Sequence, residues 1–249
     1  MSTAGTAGTS DTEQTEVWLR LAETVREATR TGDRTGYFAA LYRQATVEIR
    51  TAIHEGRFED GARMDRFDTL FGNRYFAAHD AWRRDRSGPR CRRETFGLLD
   101  DADTVIIQRL VLGVNAHINL DLALAAAATD PGRDIQALRH DFLLINDILA
   151  RVVLAVQDSV DAVSPLLSLL DRVGGRTDEQ ILDFSIVQSR AEAWHSAVLL
   201  AGQRERDRET TIDRLDIRAA VLARLVARPT ALVRPALELI RHTESDDVA

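Results

Sequence analysis

Leu112-Gly-Val-Asn-Ala-His-Ile-Asn-Leu-Asp-Leu-Ala-Leu-Ala-Ala126 decides the fold. The stretch is apolar almost all the way round a helix, which is the pattern of a buried helix. It nevertheless carries Asn115, His117, Asn119 and Asp121 within two turns. Buried polar groups are costly unless they are hydrogen-bonded or paired. A second apolar stretch, Ile135 to Val156, repeats the pattern with His140, Asp141, Asn146 and Asp147. Two buried helices that both carry Asn, His and Asp point to a shared polar centre inside an apolar protein.

Outward from this pair, helical periodicity dominates. Val17, Leu21 and Val25 share one face, and Phe38, Leu41, Tyr42, Ala45, Ile49 and Ile53 form a second stripe that Gly56 ends. A helix is expected from about Asp60 to Trp82, then a loop over Arg83–Arg93 around Ser87-Gly88-Pro89. Asp100, Asp101 and Asp103 place acidic charge where the long apolar helix would begin. Asp130-Pro-Gly-Arg133 reads as a turn, and so short a connection predicts antiparallel packing of the two polar-carrying helices. Ser164-Pro165 opens a short helix that Gly174-Gly175 closes. Thr177-Asp-Glu-Gln180 is a capping box for a helix reaching about Ala201. A last helical region starts near Ile212, with Pro229 and Pro235 as breaks. Strand alternation, repeats and a Gly-rich phosphate loop are all missing from the sequence.

The expectation is an all-α, single-domain multi-helix bundle of roughly eight to ten helices around two central apolar helices. Residues 1–16 read as a disordered N-terminal tail, 17–243 as the helical domain and 244–249 as a flexible C-terminal tail.

A net charge of −7 over 249 residues and a pI near 5.4 argue against a nucleic-acid partner. Lys is absent, so all basic side chains are Arg and Schiff-base chemistry through a lysine is excluded. Cys91 is the only cysteine, which excludes an intrachain disulfide and a Cys-rich zinc site. Within Arg90-Cys-Arg-Arg93 it reads as a loop cysteine on a charged surface. Val105 to Ala128 is long enough to span a membrane but contains Gln108, Arg109, His117 and Asp121. Arg109 needs a partner there, with a buried Asp the natural candidate. The N-terminus lacks the basic start and apolar core of a signal peptide. The expected location is cytoplasmic, without a membrane partner.

Residues three and four apart on a helix are neighbours. His117 and Asp121 are therefore paired, and Asn115 and Asn119 form a second pair. Antiparallel packing would bring His117 and Asp121 toward Asn146 and Asp147, with His140 and Asp141 nearer the turn. Three explanations compete. The polar groups satisfy one another in a buried network. Alternatively they hold zinc or iron, although His-Glu-x-x-His and repeated Glu-x-x-His are missing and neither helix carries glutamate. The third is a metal-free acid–base pocket, in which a buried carboxyl with raised pKa acts as acid and a histidine shuttles the proton. Surrounding Leu, Ile, Val and Phe would receive an apolar substrate. Tyr75, near His79 and Trp82, is a candidate for the pocket mouth and Trp194 for a ligand platform, although a core role explains each.

Phe38-x-x-x-Tyr42-x-x-x-Thr46, Gly56-x-Phe58-x-Asp60, Phe71-Gly-Asn-Arg-Tyr75, Asn115-Ala-His-Ile-Asn-Leu-Asp121 and Asp141-Phe-x-x-Ile-Asn146 occur in order. The set resembles an actinobacterial all-helical family of unknown function, over roughly Phe38 to Ala201. That family in turn is similar to the helical spiroacetal cyclases of polyketide pathways. The resemblance implies Asn115, His117, Asn119, Asp121, Asp141 and Asn146 as polar positions of the pattern, without assigning roles.

The expected function is acid–base cyclisation or dehydration of an apolar oxygenated natural-product intermediate, most concretely spiroacetal formation. His117, Asp121, Asp141 and Asp147 would carry proton transfer. Asn115, Asn119, Asn146, His140, Tyr75 and Trp194 would hold the substrate. Neither cofactor nor metal is called for, the partner is the apolar small molecule itself, and a homodimer is compatible with the sequence. The rivals are a metal-dependent hydrolase or oxygenase on the same residues, and a non-catalytic lipid or small-molecule carrier whose polar residues are all paired.

Overall fold

The structure is a computed structural model that describes residues 7–101, 103–130, 134–163, 186–228, 231 and 234–244. These residues form α1 (Ala7–Thr31), α2 (Gly36–His54), α3 (Gly61–Asp85), α4 (Arg90–Leu99) and α5 (Ile106–Ala128). After a short 3₁₀ turn, Ile135–Leu138, come α6 (Arg139–Val163), α7 (Ile186–Gly202), α8 (Glu205–Ala227) and α9 (Arg234–Thr243). No strand occurs among the described residues. The fold is all-α and forms a single domain.

α5 is the axis. α2, α3, α4, α7 and α8 all pack on it. Its length and hydropathy would suit a membrane crossing, but 78% of its most apolar 18-residue window is buried among the other helices. Those features therefore serve a core helix. Leu120, Leu122 and Leu124 of α5 join Met64 and Phe67 of α3 and Phe142 and Ile145 of α6 in one apolar cluster, which Trp194 of α7 and Leu215 of α8 complete. Gly113 allows α2 to approach α5 closely, since a Cβ there would lie 2.3 Å from the Phe38 ring.

Three helix starts are held by carboxylates from distant parts of the chain. The first N–H groups of a helix have no intrahelical partner and favour negative charge. Asp141 of α6 accepts from the Glu59 and Asp60 N–H groups ahead of α3, at 2.8 and 3.1 Å. Asp216 of α8 accepts from the Arg90 and Cys91 N–H groups at the start of α4, both at 2.8 Å. Glu244 accepts from the Ile106 N–H at the start of α5. Local caps add to these: Asp60 accepts from the Arg63 N–H at 2.9 Å.

Several expectations are corrected. α1 begins at Ala7, well inside the stretch read as a tail, because Ala, Glu and Gln continue a helix already nucleated by the Val17 and Leu21 face. α4 occupies the second half of the expected Arg83–Arg93 loop, leaving only residues 86–89 between helices. α8 starts at Glu205 rather than near Ile212, with Glu205 and Asp207 in its first turn. Asp100 closes α4 and bonds Arg86, and Asp103 pairs with Arg241, so neither sits on the α5 terminus. α6 lies principally against α2 rather than α5. Its Asp141 is drawn to the start of α3, and α7 takes the place beside the middle of α5. Residues 131–133, Ser164-Pro165, Gly174-Gly175, the Thr177–Gln180 box, Pro229 and the tail 245–249 lie outside the described residues.

Gly113→Ala forces its methyl group into the Phe38 ring, so it destabilises the fold by about 1–3 kcal/mol. A lower urea midpoint with an unchanged slope checks this, and an unchanged midpoint contradicts the close approach of α2 and α5.

Candidate functional site

The α5 backbone widens to a π-helix over His117–Leu122, which is where the polar run lies. Such segments often coincide with functional positions. Asp121 is buried and paired with Arg92 of α4, which is 1% exposed. The Asp121 Oδ2 also lies 3.2 Å from His117 Nδ1, and Arg92 lies 3.3 Å from the same nitrogen. A protonated Nδ1 donates to the carboxylate and leaves a lone pair at Nε2. That tautomer is assigned from the network, because Asp121 is the acceptor at hand.

Burial alone would raise the Asp121 carboxyl, but the Arg92 charge and the His117 and Arg92 hydrogen bonds outweigh it and hold the pKa below the usual value. Asp121 is therefore a carboxylate, and the expected raised-pKa acid is not found at this position. The His117 pKa is lowered as well, which for a base favours the neutral form: burial brings it to about 4, against the opposing pull of Asp121. The imidazole is neutral near pH 7. Its ring stacks on Phe71 with centroids 3.7 Å apart and planes 12° apart. Tyr42, Phe38 and Tyr75 stand edge-on at 4.5, 5.6 and 5.9 Å.

His117 lines a cavity of about 70 Å³ with Phe38, Tyr42, Phe71, Ile145 and Arg190 among its walls. One water needs at least roughly 10–15 Å³ of such volume, so several fit, or one small molecule. The His117 Nε2 and the Tyr42 hydroxyl are buried without a hydrogen-bond partner. The Tyr42 hydroxyl is held protonated by burial and by the charges of Asp68 and Asp121. His117 and Tyr42 thus line the same apolar chamber, and each has one polar atom without a hydrogen-bond partner. A larger groove of about 450 Å³ lies on the surface beside the α1–α2 turn, but its Arg83 and Arg86 already pair with Asp33 and Asp100.

Of the other expected residues, Tyr75 stays beside His117 and the rest have partners or places of their own. Asn115 donates to the Ala219 carbonyl of α8 at 2.8 Å and accepts from Asn119 at 3.0 Å, so Asn115 ties α5 to α8 and Asn119 holds the Asn115 amide. Asp141 is fully buried, with Arg63 at 3.2 Å and the α3 start on its oxygens. Arg63 and Phe71 are eight residues apart on α3, roughly 12 Å at 1.5 Å per residue, which separates Asp141 from His117. His140 is exposed, 3.4 Å from Glu59 and 3.6 Å from Asp141. Asp147 is exposed, and Asn146 accepts from Arg190 at 2.6 Å. The two central helices therefore do not bring Asn146 and Asp147 to His117 and Asp121. Tyr75 packs in the aromatic cage and Trp194 on Phe142, at 4.9 Å.

Sequence reasoning missed Arg92, Tyr42 and Arg190. It placed Arg92 and Cys91 in a surface loop, whereas both are buried in α4 and burial pushes the Cys91 thiol up, away from reactivity. The need for a buried carboxylate partner was recognised, but attached to Arg109. Among the described residues, the His, Cys, Asp and Glu side chains close enough to share an ion are Glu59, His140 and Asp141, with Glu59 and His140 exposed. That set excludes His117 and Asp121, and its Asp141 is already committed to Arg63 and two backbone donors.

Fold and site define a helical protein with a charged cluster in its core, set against a small apolar chamber. The chain belongs to a family of unknown function, DUF5995, which matches residues 14–229. No curated protein and no solved structure matches it.

Breaking the buried pair leaves one charge without its partner, so Arg92→Met and Asp121→Leu each cost about 3–5 kcal/mol. Arg92→Met with Asp121→Leu costs far less than the sum of the single changes. Urea denaturation of the four proteins checks this, and additive losses would show that the two side chains do not act as a pair.

Proposed function

We propose that the chain is an acid–base enzyme for a small apolar oxygenated molecule, carrying out cyclisation or dehydration at His117. The observation that carries this reading is the buried His117 Nε2 without a hydrogen-bond partner, on a side chain that lines an apolar cavity together with Tyr42. Asp121 orients the imidazole and stabilises the imidazolium formed when it takes a proton. Arg92 fixes the carboxylate in place. Tyr42 donates to the carbonyl oxygen where charge develops.

Spiroacetal formation is the most concrete such reaction. A hydroxyl of a dihydroxyketone attacks the carbonyl carbon as His117 removes its proton. The imidazolium returns that proton to the former carbonyl oxygen, giving a neutral hemiketal. As the second hydroxyl closes the other ring, His117 takes its proton and passes it to the hemiketal hydroxyl, which leaves as water, so the products are a spiroacetal, one water and the regenerated imidazole. A cavity of about 70 Å³ accommodates the reacting centre rather than a long chain, so small substrates suit it best.

The carrier reading expected every polar group to be paired, which His117 and Tyr42 are not. The metal reading required ligands beside His117 and Asp121, where Asp121 is instead committed to Arg92.

Purified protein incubated with short apolar dihydroxyketones tests the proposal, with product followed by chiral gas chromatography. Turnover is expected above the uncatalysed rate, falling at least about 100-fold in His117→Asn and less in Tyr42→Phe, with helical content retained in both. Binding without turnover selects the carrier reading. Turnover that a chelator abolishes and zinc or iron restores selects the metal reading.

A further inference from the structure

The cavity has a positive end. Arg190 projects from α7 into its wall and is 3% exposed. Its Nε donates to Asn146 Oδ1 and a terminal amino group donates to the Phe142 carbonyl, each at 2.6 Å. Its guanidinium lies 4.3 Å from the centre of the Phe142 ring. These partners are all neutral. Arg63 and Arg92, also buried, each have a carboxylate, Asp141 and Asp121. Among the described residues no carboxylate lies within ion-pair distance of Arg190. Burial pulls its pKa down to about 9 with no opposing charge, so it remains a cation at neutral pH. A buried charge without a counter-charge is costly, and an anion that enters the cavity removes that cost.

We propose that the cavity binds its ligand by a carboxylate, with Arg190 as the anchor and an apolar tail lying along Phe38, Val114, Ile118, Leu122 and Ile145. The ligand class is a small apolar monocarboxylic acid. Arg190 is held by Asn146 and Phe142 in a fixed orientation, which suits the planar match between guanidinium and carboxylate. Asp68, the acidic side chain in the lining, has interactions of its own and acts on Tyr42. This inference rests on the proposed function for placing the substrate in this cavity, and it narrows that substrate to an oxygenated acid.

Calorimetric titration of the full chain with butanoate, hexanoate, octanoate and benzoate, and with the matching amides, tests it. Binding of at least one acid at millimolar concentration or below is expected, with the amide about 10- to 100-fold weaker. Arg190→Met is expected to abolish the preference for the acid, and Arg190→Lys to keep part of it. Equal binding of acid and amide, no binding of any acid, or a preference that survives in Arg190→Met overturns the proposal. Should Arg190→Met fail to fold, ¹³C NMR of the carboxyl-labelled acid on the wild-type protein decides. A bound carboxyl that stays ionised below its free pKa supports the anchor, and one that titrates at or above it overturns the anchor. These readouts need no turnover. Acid binding without catalysis would leave the anchor standing and remove the enzyme. Turnover of neutral ketones that Arg190→Met does not slow would do the reverse.

Discussion

A charged pair in the middle of an apolar protein constrains everything around it. Arg92 and Asp121 are both buried, and removing two charges from water costs several kcal/mol per ion before their attraction offsets any of it. Well-packed hydrophobic residues could fill the same space at less cost. The pair is kept from collapsing into an unpaired charge only if α4 and α5 stay in register. Asp216 secures that register by holding the first N–H groups of α4, and the Asn115 bond to Ala219 holds α8 against α5.

The π segment follows from the same requirement, since it falls on the residues that must present His117 and Asp121 to Arg92 together. Once Asp121 is held as an ion, His117 has one nitrogen committed to the polar cluster and the other without a partner. Phe71 stacked on the ring, with Tyr42, Phe38 and Tyr75 around it, keeps water away and keeps the imidazole neutral. The cluster behind His117 is thus charged, while the cavity that His117 lines is apolar.

The helical architecture was legible because apolar spacing reports burial directly. The stripes of α2 and α3 and the all-round apolarity of α5 are visible residue by residue. The His117–Asp121 and Asn115–Asn119 steps were legible for the same reason, as four-residue spacing fixes neighbours on one helix. What lies across helices was not. α4 hides behind Pro89 and three arginines because its start is capped from Asp216, 125 residues from Cys91, and no local signal announces such a cap. Arg92 consequently looked like surface. Asp141 carried the right residue type for an active site but serves the start of α3, and only tertiary placement distinguishes the two uses. The pairing of α5 with α6 was inferred from a short connection, whereas the side-chain bonds of Asp141 and the packing of α7 decide where α6 lies.

The central claim is that burial keeps His117 a neutral imidazole, with Nδ1 committed to Asp121 and Nε2 left without a partner. Nitrogen NMR of ¹⁵N-histidine-labelled protein across a pH series tests it most directly. A folded pKa lowered to about 4 means that the neutral form persists as pH falls through the ordinary histidine value of 6.5. The predicted spectrum has a protonated Nδ1 and an unprotonated Nε2 for His117, unchanged from neutral pH to about pH 5. Titration near 6.5, two protonated nitrogens at neutral pH, or a proton on Nε2 instead would contradict the account.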